Sequence, residues 1–210
     1  MSINKQPFQV EGFAEAAAGV AGGLKSVQTF APTEFSTSAL SATWTKPEGI
    51  SMIRVQLIGG GASGHSSGKA GGAGGYAEKI IDVSNITSVS VTVGNRVLGH
   101  GNTGIATSFG THCSATGGLW PNPHTGNTSG GKGGVGAGGD INIQGGGGSS
   151  HHSNGGSAGA VGYFGGGSFG QATSNLGDHP AAYGSGGSGC NNGYGSGSGA
   201  RGLVIVWEYA

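Results

Sequence analysis

The chain has 210 residues, 51 of them glycine, with 34% hydrophobic and 9% charged residues and a formal net charge of zero. That balance excludes phosphate-dominated nucleic-acid binding and an anionic-membrane patch, both of which need clustered Lys and Arg. It also excludes a large conventional side-chain core, so backbone packing must contribute more than usual.

Met1 to Gln6 lacks the basic-then-apolar pattern of a secretory signal, and no apolar run reaches membrane-spanning length. We therefore expect no membrane insertion. Residues 1–26 form a lead-in or junction, in which Phe13-Ala14-Glu15-Ala16-Ala17-Ala18 favours a short helix before Gly19 stops it. Strand signals follow. Thr29–Phe35 and Ser41–Lys46 are rich in Thr and aromatics, and Pro47-Glu48-Gly49 marks a turn. Ile53–Leu57 alternates apolar and polar residues, Tyr76–Val83 continues the pattern, and Val89, Val91 and Val93 share one side of a strand. Leu203–Tyr209 is the strongest strand, and its continuous apolar run implies a central strand buried on both faces.

Between these strands lies a glycine field: 46 of the 51 glycines fall between Gly59 and Gly202. One reading is a flexible tract. The other is a set of extended, three-residue-per-turn helices whose interior admits only glycine. Such helices make no internal hydrogen bonds, so they must pair laterally. Large apolar residues in the inserts between glycine blocks favour the ordered reading. The expected fold is mainly β with little helix: a small, sandwich-like antiparallel base carrying a bundle of packed polyglycine-II-type helices with surface loops. Residues 27–96 and 202–210 make the base, and residues 97–201 make the bundle and its recognition loops.

The inserts carry binding chemistry. Between Val97 and Ala200 the charged residues are Lys132, Asp140 and Asp178, whereas six of the seven histidines lie there. Rigid rings with Asn, Ser and Gly characterise recognition loops. The expected receptor contacts are Trp120, His124, His151, His152, His179, Tyr183 and Tyr194. Trp120, between Leu119 and Pro121, reads either as a loop anchor or as a ligand contact. Gly-x-Gly patterns occur everywhere and lack the strand-to-helix context of a phosphate loop. Asp140 and Asp178 are too few for glycosidase chemistry. Adjacent His112 and Cys113 point to opposite faces of a strand. No catalytic residue, cofactor or metal site is assigned, and Cys113 and Cys190 lack zinc spacing.

Several of these features occur together in one order. Thr45-Lys46-Pro47-Glu48-Gly49, then Ile53-Arg54-Val55-Gln56-Leu57-Ile58-Gly59-Gly60-Gly61, precede Gly74-Gly75-Tyr76-Ala77-Glu78-Lys79. Ser88–Gly94, Thr107–Gly110, Ser114–Gly118, Gly138–Ile143 and the terminal Gly202-Leu203-Val204-Ile205-Val206-Trp207-Glu208-Tyr209 continue the match. From about Gln28 to Ala210 the chain resembles the glycine-rich domain at the distal ends of bacteriophage tail fibres, including T-even-like adhesins. The resemblance implies a non-enzymatic receptor-binding protein at the fibre tip of a virion. It implies a host outer-membrane protein as receptor, with lipopolysaccharide as the alternative. It also implies attachment to a fibre shaft protein or self-trimerisation. An inert structural or ice-binding glycine bundle is the competing reading. Residues 1–26 do not match the attachment domain of those adhesins.

Overall fold

The computed structural model describes residues 23–33, 37–121, 129–150, 156–169, 179–180, 182–190 and 195–210. The helix expected over 13–18 lies outside them. Ten strands are present: β1 (Leu24–Phe30), β2 (Leu40–Thr45), β3 (Met52–Ile58), β4 (Tyr76–Asp82), β5 (Ser88–Val93), β6 (Thr107–Phe109), β7 (Cys113–Ala115), β8 (Gly136–Ala137), β9 (Ile141–Ile143) and β10 (Leu203–Tyr209). They form two five-stranded antiparallel sheets, ordered β1-β10-β3-β4-β9 and β2-β5-β6-β7-β8. The fold is mainly β, and no helix occurs among the described residues.

The two sheets share one hydrophobic core. Ile53, Val55, Leu57, Val204 and Val206 from the first meet Trp44, Val89, Val91, Val93 and Phe109 from the second. Trp44 and Phe109 rings lie 5.9 Å apart. Each such buried side chain contributes roughly 1.5–3 kcal/mol. The alternation of β5 places its three valines inward, as its spacing requires.

Two expectations shift. The first strand runs from Leu24 to Phe30 and stops before Pro32. Its register is dictated by β10, from Leu24 opposite Tyr209 to Phe30 opposite Val204, and proline has no N–H to extend a ladder. The second concerns β10 itself. It is an interior strand, with Val204, Val206 and Glu208 sealed inward, but Ile205, Trp207 and Tyr209 on its other face are only half-buried.

That outer face of the first sheet carries a polar network. Arg54 Nε donates to Glu78 at 2.6 Å, and Tyr76 OH donates to the other Glu78 oxygen, also at 2.6 Å. Gln56 donates to both Tyr76 and Glu78 and accepts from Trp207 Nε1. The Arg54 hydrogen bond, helped by those from Tyr76 and Gln56, pulls the Glu78 carboxyl from 4.5 down to about 2. Its folded form therefore releases its proton more readily than the unfolded chain does. The resulting stability is complete above pH 4.5 and disappears as pH falls towards 2. Because Arg54 is 39% exposed, solvent screening limits the effect to about 2 kcal/mol. Glu78→Gln is expected to lose that amount in urea unfolding at pH 7 and to match the parent protein near pH 2. A stability gap independent of pH would refute the assignment.

Beyond the ends of the strands runs the glycine-rich backbone, and its pairing follows a rule. Gly59, Ala62 and His65 donate to Gly75, Gly72 and Lys69; Gly60 and Ser63 donate to Ile105 and Asn102; Gly61 and Gly64 donate to Ala200 and Gly197. Donors three residues apart share one neighbour, and consecutive donors face three different neighbours. The second pass repeats it: Gly71 and Gly74 reach Gly187 and Gly184, Gly72 and Gly75 reach Leu119 and Thr116, and Ala70 and Ala73 reach Ser149 and Gly146. Backbones approach so closely that a methyl group on Gly61 would sit 1.9 Å from the Ser185 carbonyl oxygen. Residues 59–75 thus lie inside the array although the sequence groups them with the base. Conversely β6 to β9 complete the sheets from within 97–201.

Candidate recognition tip

Several glycine-rich segments continue strands. Residues 59–65 leave β3 and 69–75 return to β4; segments after β5 and β7 run the same way, and 195–202 return to β10. The His65–Gly68 turn and the bend at Gly99–Gly101 therefore lie at the end of the array away from the sheets, whereas the Tyr163-Phe164 turn stacks on Tyr76 at the sheet end. The His65 turn closes with His65 N–H to Lys69 O at 2.8 Å and Gly68 N–H to His65 O at 3.1 Å. Gly68 has φ +79°, a left-handed conformation that suits glycine. Asn102 closes its own loop by donating to Leu98 O at 2.6 Å, and its N–H donates to Ser63 Oγ at 2.9 Å.

Three rings from three separate segments meet here. His65 and His100 contact edge to face at 5.7 Å, and His65 stacks with Trp120 at 6.0 Å. Gly101 lies against Trp120, close enough that an added methyl would touch the indole at 3.7 Å. Ser67 N–H donates to His65 Nδ1 at 3.0 Å. A backbone N–H can only donate, so the neutral His65 ring carries its hydrogen on Nε2. Half-exposed Leu98 and Leu119 rim the cluster. The arrangement offers stacking surfaces and imidazole donors on turns fixed by backbone hydrogen bonds. It suits docking of an uncharged ring or apolar side chain.

Trp120, partly buried, belongs to this cluster and joins its segments. His124, His151, His152 and Tyr194 lie outside the described residues. His179 and Tyr183 are not brought to Trp120. His179 is exposed on the flank, where its Nδ1 accepts Ser198 N–H at 2.8 Å. Tyr183 lies at the sheet end, beneath the Arg201 guanidinium at 5.2 Å and next to Gly184, which abuts Ile58. His65 and His100 are the tip residues that sequence reasoning did not select. Their signal was position: each interrupts a glycine block where the chain must reverse.

Among the described residues no group of three or more His, Cys, Asp or Glu is placed to hold a metal ion. Cys113 and Cys190 are buried and are not joined in a disulfide. Burial pushes the Cys113 thiol up to about 11, which makes it a poor nucleophile despite its neighbour His112. None of the curated proteins compared with the chain matches it. Residues 36–209, most of the chain, match the family model described as a glycine-rich domain. The chain belongs to the glycine-rich domain family.

Proposed function

We propose that this protein is a phage tail-fibre tip adhesin that recognises a host surface receptor through the loops at the end of its glycine array. The observation that carries this reading is the convergence of separate segments on His65, His100 and Trp120 at one end of a laterally bonded scaffold. A rigid frame presenting ring-bearing loops is a recognition design. The likeness of strands and glycine blocks to tail-fibre distal domains supports the viral setting. The array is a bundle of polyglycine-II-type helices in this reading. The three-residue alternation of lateral donors supports it, since an extended threefold helix directs successive N–H groups to three neighbours. The receptor is an outer-membrane protein, the partner at the other end is a fibre shaft or two further copies, and no bond is cleaved. His124, His151, His152 and Tyr194 are further receptor contacts in this reading.

Binding of purified protein to whole cells, to receptor-deletion strains and to cells stripped of surface polysaccharide tests the proposal. Loss on deleting one outer-membrane protein supports it; loss only on stripping polysaccharide moves the receptor to lipopolysaccharide. Trp120→Ala is expected to weaken cell binding at least about tenfold, the scale of an interface hot spot. The melting of the sheets should change little. Unchanged binding by both Trp120→Ala and His100→Ala would overturn the tip assignment.

A further inference from the structure

The pole of the sheets opposite the tip carries a different kind of device. β1 precedes the family-matched residues 36–209, so the β10 edge of the domain is paired by a strand from outside it. That ladder is antiparallel, from Leu24 opposite Tyr209 to Phe30 opposite Val204. β10 leaves the array at Gly202 and runs away from it, so β1 begins at the far pole and ends beside the array. On its other side β10 pairs with β3 along its whole length, Leu203 to Tyr209. Both β3 and β10 join array segments directly, at Ile58-Gly59 and Gly202-Leu203. A pull on the chain ahead of Leu24 therefore crosses the ladder into β10 and passes along it to the array.

The direction of the pull decides how the ladder resists. Antiparallel hydrogen bonds lie perpendicular to their strands. With the tip held, tension runs along β1 and loads those bonds together, in shear. Gly23 and Ala210 are neighbours at one pole, where Ala210 N–H donates to Gly23 O at 3.4 Å. Tension between these two ends instead opens the ladder one bond at a time. Side chains lock the register. Ser26 and Gln28 both donate to the buried Glu208 carboxylate, Gln28 Nε2 at 2.8 Å, and Phe30 packs against the core. A slip of one residue would turn Val27 onto that carboxylate and carry both donors to the outer face. Trp44 Nε1 holds the same carboxylate from β2 at 2.7 Å. We infer that β1 is a force-bearing strand, clamped in shear to β10 and keyed by Glu208, which mounts the domain against tension between its N-terminal side and its tip. Receptor binding at the tip would supply the tension; the mechanical asymmetry is independent of that reading.

Single-molecule pulling of the full chain in two geometries tests the clamp. One handle sits at the N-terminus. The other sits either at Thr103→Cys, exposed at the last steps of the array, or at the C-terminus. At one loading rate the tip geometry is expected to need clearly more force than the terminal geometry. Its first event should free residues 24–39, a gain of at most about 55 Å at 3.3–3.6 Å per residue. Gln28→Ala should shorten the lifetime under constant tip load roughly tenfold. Forced unfolding follows the unfolding rate, and one hydrogen bond to a carboxylate is lost. Equal forces in the two geometries, or a first event much longer than that gain, overturn the clamp. An unaltered lifetime in folded Gln28→Ala overturns the Glu208 key. The comparison of geometries keeps the native β1 and decides the clamp even where that variant does not fold. Neither result bears on cell binding, which tests the tip separately.

Discussion

Gly74→Ala is expected to destabilise the protein by about 3 kcal/mol or more, at the upper end of overpacking effects. The new methyl group would lie 2.0 Å from the Gly59 carbonyl oxygen and 2.4 Å from its carbon, atoms of a backbone rather than of a flexible side chain. Gly59 cannot retreat cheaply, because its N–H is bonded to Gly75 O at 3.0 Å, and Gly74 N–H is bonded to Gly184 O at 2.8 Å. Relief of the clash would separate residues 59–65 from 69–75 and strip lateral bonds along both. Gly147→Ala provides the control. The nearest atom to its added methyl is 3.7 Å away, and its backbone is outside the left-handed region. There the substitution is expected to be neutral or stabilising by about 0.5 kcal/mol, because alanine has less freedom to lose on folding. Chemical denaturation of the two variants measures the contrast. Equal, small effects at both positions would mean that the glycine array is not close-packed.

Under the proposed function, that close packing separates what would bind from what holds it. Segments whose closely packed steps hold glycine, alanine and serine leave larger side chains to their outer positions and their ends. Turns such as His65–Gly68 and Leu98–Asn102 can then change sequence without disturbing the bonds behind them. The hydrogen bonds that fix the turns, such as Asn102 N–H to Ser63 Oγ, start from residues at the last steps of the array. Recognition surface and scaffold are thus separable along the same backbone.

The sheets were legible because their side-chain alternation is local. Ile53–Leu57, Tyr76–Val83, Val89–Val93 and Leu203–Tyr209 each announce a strand within five to eight residues, and β3, β4, β5 and β10 lie there. By contrast β6 to β9 span two or three residues each, too short to carry a period; β9 is templated by β4 and β6 by β5, and β7 and β8 add to β6 in turn. The array's connectivity was hidden for a different reason. Glycine blocks are chemically alike, so nothing local selects Ala200 rather than another carbonyl for Gly61. The His65–His100–Trp120 cluster has the same origin: three residues from three segments, with no spacing to link them. Glu208 likewise carries no local sign of its role, because its donors come from strands distant in sequence.

Glu208→Ala should therefore be among the most damaging single changes, at about 3–5 kcal/mol. The carboxylate is fully buried beside Val204 and Val206. Among the described residues its donors are uncharged: Trp44 Nε1 donates to it at 2.7 Å, Gln28 Nε2 at 2.8 Å, and Ser26 Oγ to its second oxygen. These donors come from β2 in one sheet and β1 in the other, so one side chain couples three strands across the core. Truncation leaves the Trp44 N–H and the Gln28 amide facing a cavity without an acceptor, and both a lost charge-assisted bond and a void add to the loss. Glu208→Gln keeps an acceptor oxygen for Trp44 and Gln28 and turns an amide towards the rotatable Ser26 hydroxyl. Its expected loss is smaller, about 1–2 kcal/mol. Urea unfolding followed by Trp fluorescence orders the three proteins. If Glu208→Ala unfolds within about 1 kcal/mol of the parent, the carboxylate is not what joins the sheets, and apolar contact between Trp44 and its neighbours must hold them alone.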